Sequence, residues 1–226
     1  MLLLFDIDGT LLNANGVGRQ AVESALAELV GVEVSTEGIT FSGKTDQQII
    51  REVLTLSGVE AHWLADRFPD AMAAYERVAS LMLKPEAVDA LPGAVSLVGH
   101  LAQETSLQLA LLTGNIRPMA YLKVAAIGLD THFPFGAFGC DSEDRNALPA
   151  VAVERAVAHS GRQFGAQEVV VIGDTPRDID CARAYGARCI VVPTGRFSRE
   201  VLEAHGPDVL LDDLEDVASF VEALGA

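Results

Sequence analysis

Asp6 and Asp8 stand two residues apart in Phe5-Asp6-Ile7-Asp8-Gly9-Thr10, directly after an apolar run. Gly9 allows a tight turn there. Asp-Gly-Thr is also ordinary turn chemistry, so the pair alone does not separate a site from a turn. A second cluster is Thr113-Gly114-Asn115. Its hydroxyl and the backbone N–H groups of a Gly-Asn turn are donors suited to an anion. The competing reading is a strand-to-helix turn in which Asn115 caps the helix that Pro118 helps to start. The third cluster is Gly173-Asp174-Thr175-Pro176-Arg177-Asp178. Asp174 leaves a very apolar stretch, and Asp178 follows one helical turn later, so both carboxylates can face one side. A carboxylate at the end of a buried strand is costly unless a cation meets it. Here the bland alternative is helix capping by Asp174 ahead of Pro176.

The elements that must position these residues can be read from patterning. Short apolar runs bounded by turn residues read as buried strands, and residues 2–6, 107–112, 169–172 and 189–192 fit, with 209–211 weaker. Helical patterns at 94–102, 117–126, 147–160, 177–185 and 214–224 separate the later runs. Alternation at this spacing predicts right-handed βαβ units: an α/β, Rossmann-like parallel sheet with helices on both faces. Residues 15–85 break the alternation. Val22, Ala25, Leu26 and Leu29 recur at helical spacing, as do Met72, Tyr75, Ala79 and Met82, with Pro69 suited to a first helical turn. This stretch is expected to be an inserted all-α cap domain, with residues 1–14 and 86–226 forming the core. The chain would cross between them near 13–17 and 83–92. All three clusters then end parallel strands and meet at one sheet edge, where ligands of such sheets bind. Four carboxylates, Asp6, Asp8, Asp174 and Asp178, cannot share that edge without a cation. Oxygen-only ligands favour magnesium.

Composition narrows the partners. Half of the 226 residues are hydrophobic, enough for a substantial core, and the 21% charged fraction argues against disorder. The net charge of −16 repels phosphate backbones, which speaks against nucleic acid, and no polybasic stretch suits a membrane. Cys140, Cys181 and Cys189 form an odd set without a Cys-x-x-Cys pair. Free thiols in a reducing compartment are expected, and structural zinc is not. The opening run Met1–Phe5 is too short for a signal peptide, and no run of about 20 apolar residues could span a bilayer. The expectation is a soluble, cytoplasmic protein.

Asp6-Ile7-Asp8-Gly9-Thr10 resembles the first motif of the haloacid dehalogenase superfamily. Thr113-Gly114-Asn115 resembles its second motif, and Gly173-Asp174 with Asp178 its fourth. The resemblance runs along the whole chain, and the insert is similar to the C1-type helical caps of phosphoglycolate phosphatases and β-phosphoglucomutases. The third motif normally supplies a lysine. None of Lys44, Lys84 and Lys123 falls there, whereas Arg145 does. Arginine can bind phosphate bidentately, and at the site rim it would bury little area; the bland alternative is a solvated loop arginine, which would leave Lys44 or Lys123 as the candidate cation.

The resemblance implies a magnesium-dependent phosphatase acting on a small phosphorylated metabolite. Asp6 would attack phosphorus and become an aspartyl-phosphate. Asp8 would protonate the leaving alkoxide and then take a proton from the hydrolytic water. Asp6, the Asp8 backbone carbonyl and Asp174 would hold magnesium, supported by Asp178. Thr113, Gly114, Asn115 and Arg145 would hold the phosphoryl oxygens. Asp8 argues against the superfamily's dehalogenases and phosphonatases, which lack an aspartate at that spacing. Ser42-Gly43-Lys44-Thr45-Asp46 resembles the substrate loop of such caps, with Gly43 and Lys44 facing substrate. Thr45 and Gln48 equally suit a capping box. His62, Trp63 and His100 have no motif around them and read as structural. A phosphomutase of the β-phosphoglucomutase kind would use the same aspartates, and a non-catalytic binding module would be expected to have degraded motifs.

Overall fold

The computed structural model describes residues 1–225, the side chains of Ala61 and Leu64 apart. Six strands form one parallel sheet: β1 (Leu2–Phe5), β4 (Gln108–Leu112), β5 (Gly136–Ala137), β6 (Val169–Gly173), β7 (Arg188–Val191) and β8 (Val209–Leu210). Their spatial order is β5-β4-β1-β6-β7-β8, so β1 runs at the centre between β4 and β6. A two-residue antiparallel pair, β2 (Leu12–Asn13) with β3 (Asp89–Ala90), stands apart from it.

The sheet is buried on both faces because its strands are apolar at all but their first positions, Gln108 and Arg188 being the polar exceptions, as parallel strands covered on both sides require. The period-two alternation of side chains sorts them. Leu3, Phe5, Leu111, Val170 and Ile172 face one layer of helices, α4 (Ala94–Leu101), α5 (Arg117–Ala126) and α9 (Val217–Gly225). Leu2, Leu4, Leu112, Val169 and Val171 face the other, α6 (Leu148–Ser160), α7 (Pro176–Tyr185) and α8 (Arg199–Ala204). The α/β expectation is met, and the strand and helix limits fall within a few residues of those read from sequence. Three strands escaped that reading. β5 has only two residues, and β2 with β3 show no alternation long enough to detect.

Residues between β2 and β3 carry three helices: α1 (Val17–Val30), α2 (Asp46–Leu56) and α3 (Ala61–Met82). α1 buries Ala21, Val22, Ala25 and Leu26, and α3 buries Ala71, Tyr75 and Ala79. The expected first-turn place for Pro69 is corrected: α3 begins at Ala61 and runs through Pro69. The apolar face repeated at Ala71, Tyr75 and Ala79 sustains the helix despite the lost N–H.

Register sets the site. Phe5 lies beside Leu111 on β4 and beside Ile172 on β6. The chain therefore leaves all three strands at nearly one level, at Asp6, Thr113 and Asp174. The ladder continues one step past β1, with Asp6 N–H donating to the Ile172 carbonyl at 2.9 Å.

Candidate active site

The carboxylates of Asp6, Asp174 and Asp178 converge, each offering an oxygen within 4.8 Å of the others. Asp6 is 4% exposed and Asp174 2%, so this is charge placed in the interior. Burial pushes both acids above the usual carboxylate range, and Asp178 pushes them further, while Arg145 opposes the shift. Thr10 donates its hydroxyl to Asp174 at 3.3 Å. Gly9 supplies the turn with a φ of +88°.

Arg145 is the cation of this group. It sits in a short 3₁₀ turn, residues 145–147, ahead of α6, and is 3% exposed. This corrects the expectation that a residue at the site rim buries little area. One guanidinium nitrogen donates to Asp178 and lies 3.1 Å from Asp6. The other terminal nitrogen donates to the Gly43 carbonyl at 3.3 Å. Its buried Nε has no partner among the described residues, leaving one donor free. Asp178 is fully occupied: one oxygen accepts from Arg145, and the other from the Thr175 N–H at 2.9 Å and its hydroxyl at 2.7 Å. The α7 N-cap is therefore Thr175 in a capping box with Asp178, and not Asp174. Asp178 thus holds Arg145 and shapes the loop beside Asp6 and Asp174.

Asp8 lies apart from that group. Its side chain is 42% exposed, against 6% for Lys123, whose ammonium donates to both Asp8 oxygens at 2.7 Å. Lys123 also donates to Asn115 Oδ1 at 2.6 Å. Asn115 Nδ2 donates to Asp8 at 2.7 Å and to the Thr113 hydroxyl oxygen at 2.8 Å. The Asn115 side chain is thus committed to Asp8 rather than free for an anion. Nor does it cap α5, whose N-cap is Ile116. Sequence reading gave Lys123 only as a fallback cation, because it falls outside every motif. The signal was its spacing: a lysine on the inward face of α5, two turns beyond Asn115, can reach back to the sheet edge.

The loop expected to face substrate lines one cavity with Asp6 and Asp8, and it also docks on the core. Gly43 and Lys44 line a cavity of about 350 Å3 together with Asp6, Asp8, Thr113 and Arg145. Lys44 is ion-paired with Glu52. Thr45 and Gln48 form the capping box of α2. The next residue, Asp46, is 7% exposed and was not singled out from sequence. Its N–H donates to the Gly114 carbonyl at 2.8 Å, and its carboxylate accepts from the Ile116 N–H at 2.8 Å, at the start of α5. Burial pushes Asp46 up to about 6, with Lys123 holding it down. The approach is close enough to demand glycine: a Cβ on Gly114 would lie 2.0 Å from the Lys44 carbonyl oxygen, and one on Gly139 1.9 Å from that of Gly114. Gln47 donating to the Gly139 carbonyl at 2.7 Å and Arg51 to Glu143 at 2.8 Å complete the contact. His62, Trp63 and His100 do not line the cavity.

The family model of haloacid dehalogenase-like hydrolases matches residues 3–192. The chain belongs to this family. Its relatives include Protein SUPPRESSOR OF QUENCHING 1, chloroplastic, of Arabidopsis thaliana, 29% identical over 225 residues. That match takes in 96% of this chain and 20% of the plant protein, so the chain spans about a fifth of that relative's length. Phosphoglycolate phosphatase of Pectobacterium atrosepticum is 24% identical over 220 residues, 97% of this chain and 91% of that enzyme. The crystal structure of a hydrolase from Pseudomonas syringae shares the fold with a TM-score of 0.72 at 21% identity, covering 97% of each chain. No helix among the described residues of this haloacid dehalogenase-like hydrolase is long and apolar enough to cross a membrane.

Proposed function

We propose that the chain hydrolyses phosphate monoesters of small metabolites, passing the phosphoryl group to Asp6 and then to water. The observation that carries this reading is the division of two neighbouring aspartates between unlike surroundings. Asp6 is buried against Arg145 and two further carboxylates, while Asp8 opens to the cavity beside Lys123 and Asn115. A pair of acids held in different environments suits one nucleophile and one proton carrier.

The residues fit a hard divalent cation. Three carboxylates face one guanidinium, the donors are all oxygen, and two of the acids, Asp6 and Asp174, keep oxygens free of strong donors. Asp6, Asp174 and the Asp8 backbone carbonyl would hold magnesium, whose chemistry there is to offset charge between a carboxylate and an anionic phosphate. Asp6 would attack phosphorus. Asp8 gives its proton to the departing alkoxide and afterwards accepts one from the attacking water. Thr113, the Gly114 backbone and the unpaired Nε of Arg145 offer donors for the phosphoryl oxygens. The cavity's wall from the helical segment, with Lys44, Phe41 and Tyr75, would receive the leaving group. The Pectobacterium relative's name makes phosphoglycolate the first substrate to try.

A panel of phosphate monoesters, including phosphoglycolate and sugar phosphates, tests this with magnesium and a free-phosphate readout. Release of phosphate from a single monoester, without a bisphosphate activator, supports hydrolysis over phosphoryl return to a sugar. No release from any member would overturn the reading.

A further inference from the structure

The three lysines lie in unlike places. Lys84 is exposed, and Lys44 is spent on Glu52. Lys123 is buried on the inward face of α5 with Met119, Ala120 and Val124. Lysine is seldom buried unless paired. Its ammonium has three N–H donors, and each has an acceptor: the two Asp8 oxygens and Asn115 Oδ1. Asn115 closes the ring by donating to Asp8, and is itself fixed by the Thr113 hydroxyl. The carboxylate of Asp8 is thus aimed by residues of another strand's loop and helix.

We propose that Lys123 is the positioning residue of Asp8, fixing through the Lys123–Asp8–Asn115 ring the direction in which that carboxylate meets the leaving oxygen and then the water. This rests on the phosphatase reading. One carboxylate must serve two successive proton transfers from one place, and a misplacement of about 1 Å costs roughly 100-fold in rate. Burial makes the aim firm, because Lys123 loses two of its three acceptors if Asp8 turns away. A packing role alone would give a different signature. Removing one partner of a buried ion pair lowers stability whatever else the pair does, so stability does not identify the role, but leaving-group dependence does.

The test is a double-mutant cycle on the full chain with magnesium, using p-nitrophenyl phosphate, whose leaving group needs no proton, and β-glycerol phosphate, whose alkoxide does. Lys123→Met is expected to keep its circular-dichroism spectrum, to lose roughly 100-fold in kcat on glycerol phosphate, and to lose less than about tenfold on the nitrophenyl ester. In an Asp8→Ala background it should add no further loss, since the two residues act as one unit. Lys123→Arg, which restores charge and donors, should recover part of the glycerol phosphate rate. Equal losses on both esters, or a full additional loss in the Asp8→Ala background, would overturn the proposal. Should Lys123→Met unfold, Lys123→Gln keeps a donor and enters the same cycle under the same criteria. Failure of the phosphatase reading shows separately, because the parent protein would then release phosphate from neither ester, and the proposal falls with it.

Discussion

The Arg145 nitrogen that donates to Asp178 also lies 3.1 Å from Asp6. One buried cation therefore serves two buried acids. Arg145→Ala is expected to cost roughly 2–4 kcal/mol of transition-state stabilisation, the scale for one preorganised donor. It should also lower stability by about 3–5 kcal/mol, because removing one partner leaves buried charge uncompensated. Arg145→Lys should recover part of both. Steady-state kinetics with thermal melts check this, and a variant matching the parent in both would contradict the pairing.

Asp6→Asn should abolish turnover and leave the fold intact, since an amide is a poor nucleophile. Burial raises Asp6 above its ordinary range, so its charge opposes folding at neutral pH. Without added metal, the variant should melt no lower than the parent at pH 8. Turnover at the parent's rate would remove Asp6 from the chemistry.

Activity should disappear in EDTA and return with magnesium but not with calcium, which takes more ligands at longer distances. Full rates in chelator or in calcium would contradict the cation site built on Asp6 and Asp174.

Asp46 gives a pH signature. Its carboxyl is pushed up to about 6 by burial. The folded protein therefore holds this proton more tightly than the unfolded chain does. The stability so gained is complete below the unfolded value of about 4 and is lost as pH rises through about 6. Asp46→Asn lacks this dependence, so the melting temperature of the parent minus that of the variant should fall between pH 4 and pH 7. A difference independent of pH would show that Asp46 titrates normally.

Gly139 allows the loop at Asp46 to reach the core. Gly139→Ala would bring a Cβ 1.9 Å from the Gly114 carbonyl, the group that accepts the Asp46 N–H. A loss in kcat/KM on the order of 100-fold is expected from the displaced loop, with secondary structure retained by circular dichroism. Unchanged kinetics would mean that this docked position is not used in turnover.

Much of the core was legible because local patterning and tertiary placement agree. Leu2–Phe5 and Val169–Gly173 are apolar at every position and end at acids, which fixes both their strand character and their direction. The same runs placed Asp6 and Asp174 at one sheet edge, where the structure brings them together. Gly136–Ala137 was invisible because two residues carry no period. Arg145 was found by its place in the chain, but its burial was not, since a loop arginine looks the same solvated or paired until its partners are known. The pairings of Lys123 and Asp46 were missed for a related reason. Their partners, Asp8 and the Ile116 N–H, lie more than a hundred and about seventy residues away, and no local pattern marks such pairs.

The short β2–β3 ladder also bears on how the chain folds. Joining Leu2 to Gln108 in the central sheet closes a loop of roughly a hundred residues, and the entropy lost in such a closure grows with loop length. Leu12 pairs with Ala90 across that ladder, so once the three helices between them are packed, the two ends of the intervening segment are already side by side. The loop that remains open is then only a few tens of residues long. Early assembly of the helical segment would in this way hasten pairing of β1 with β4, shortening the time for which the apolar central strands stand uncovered.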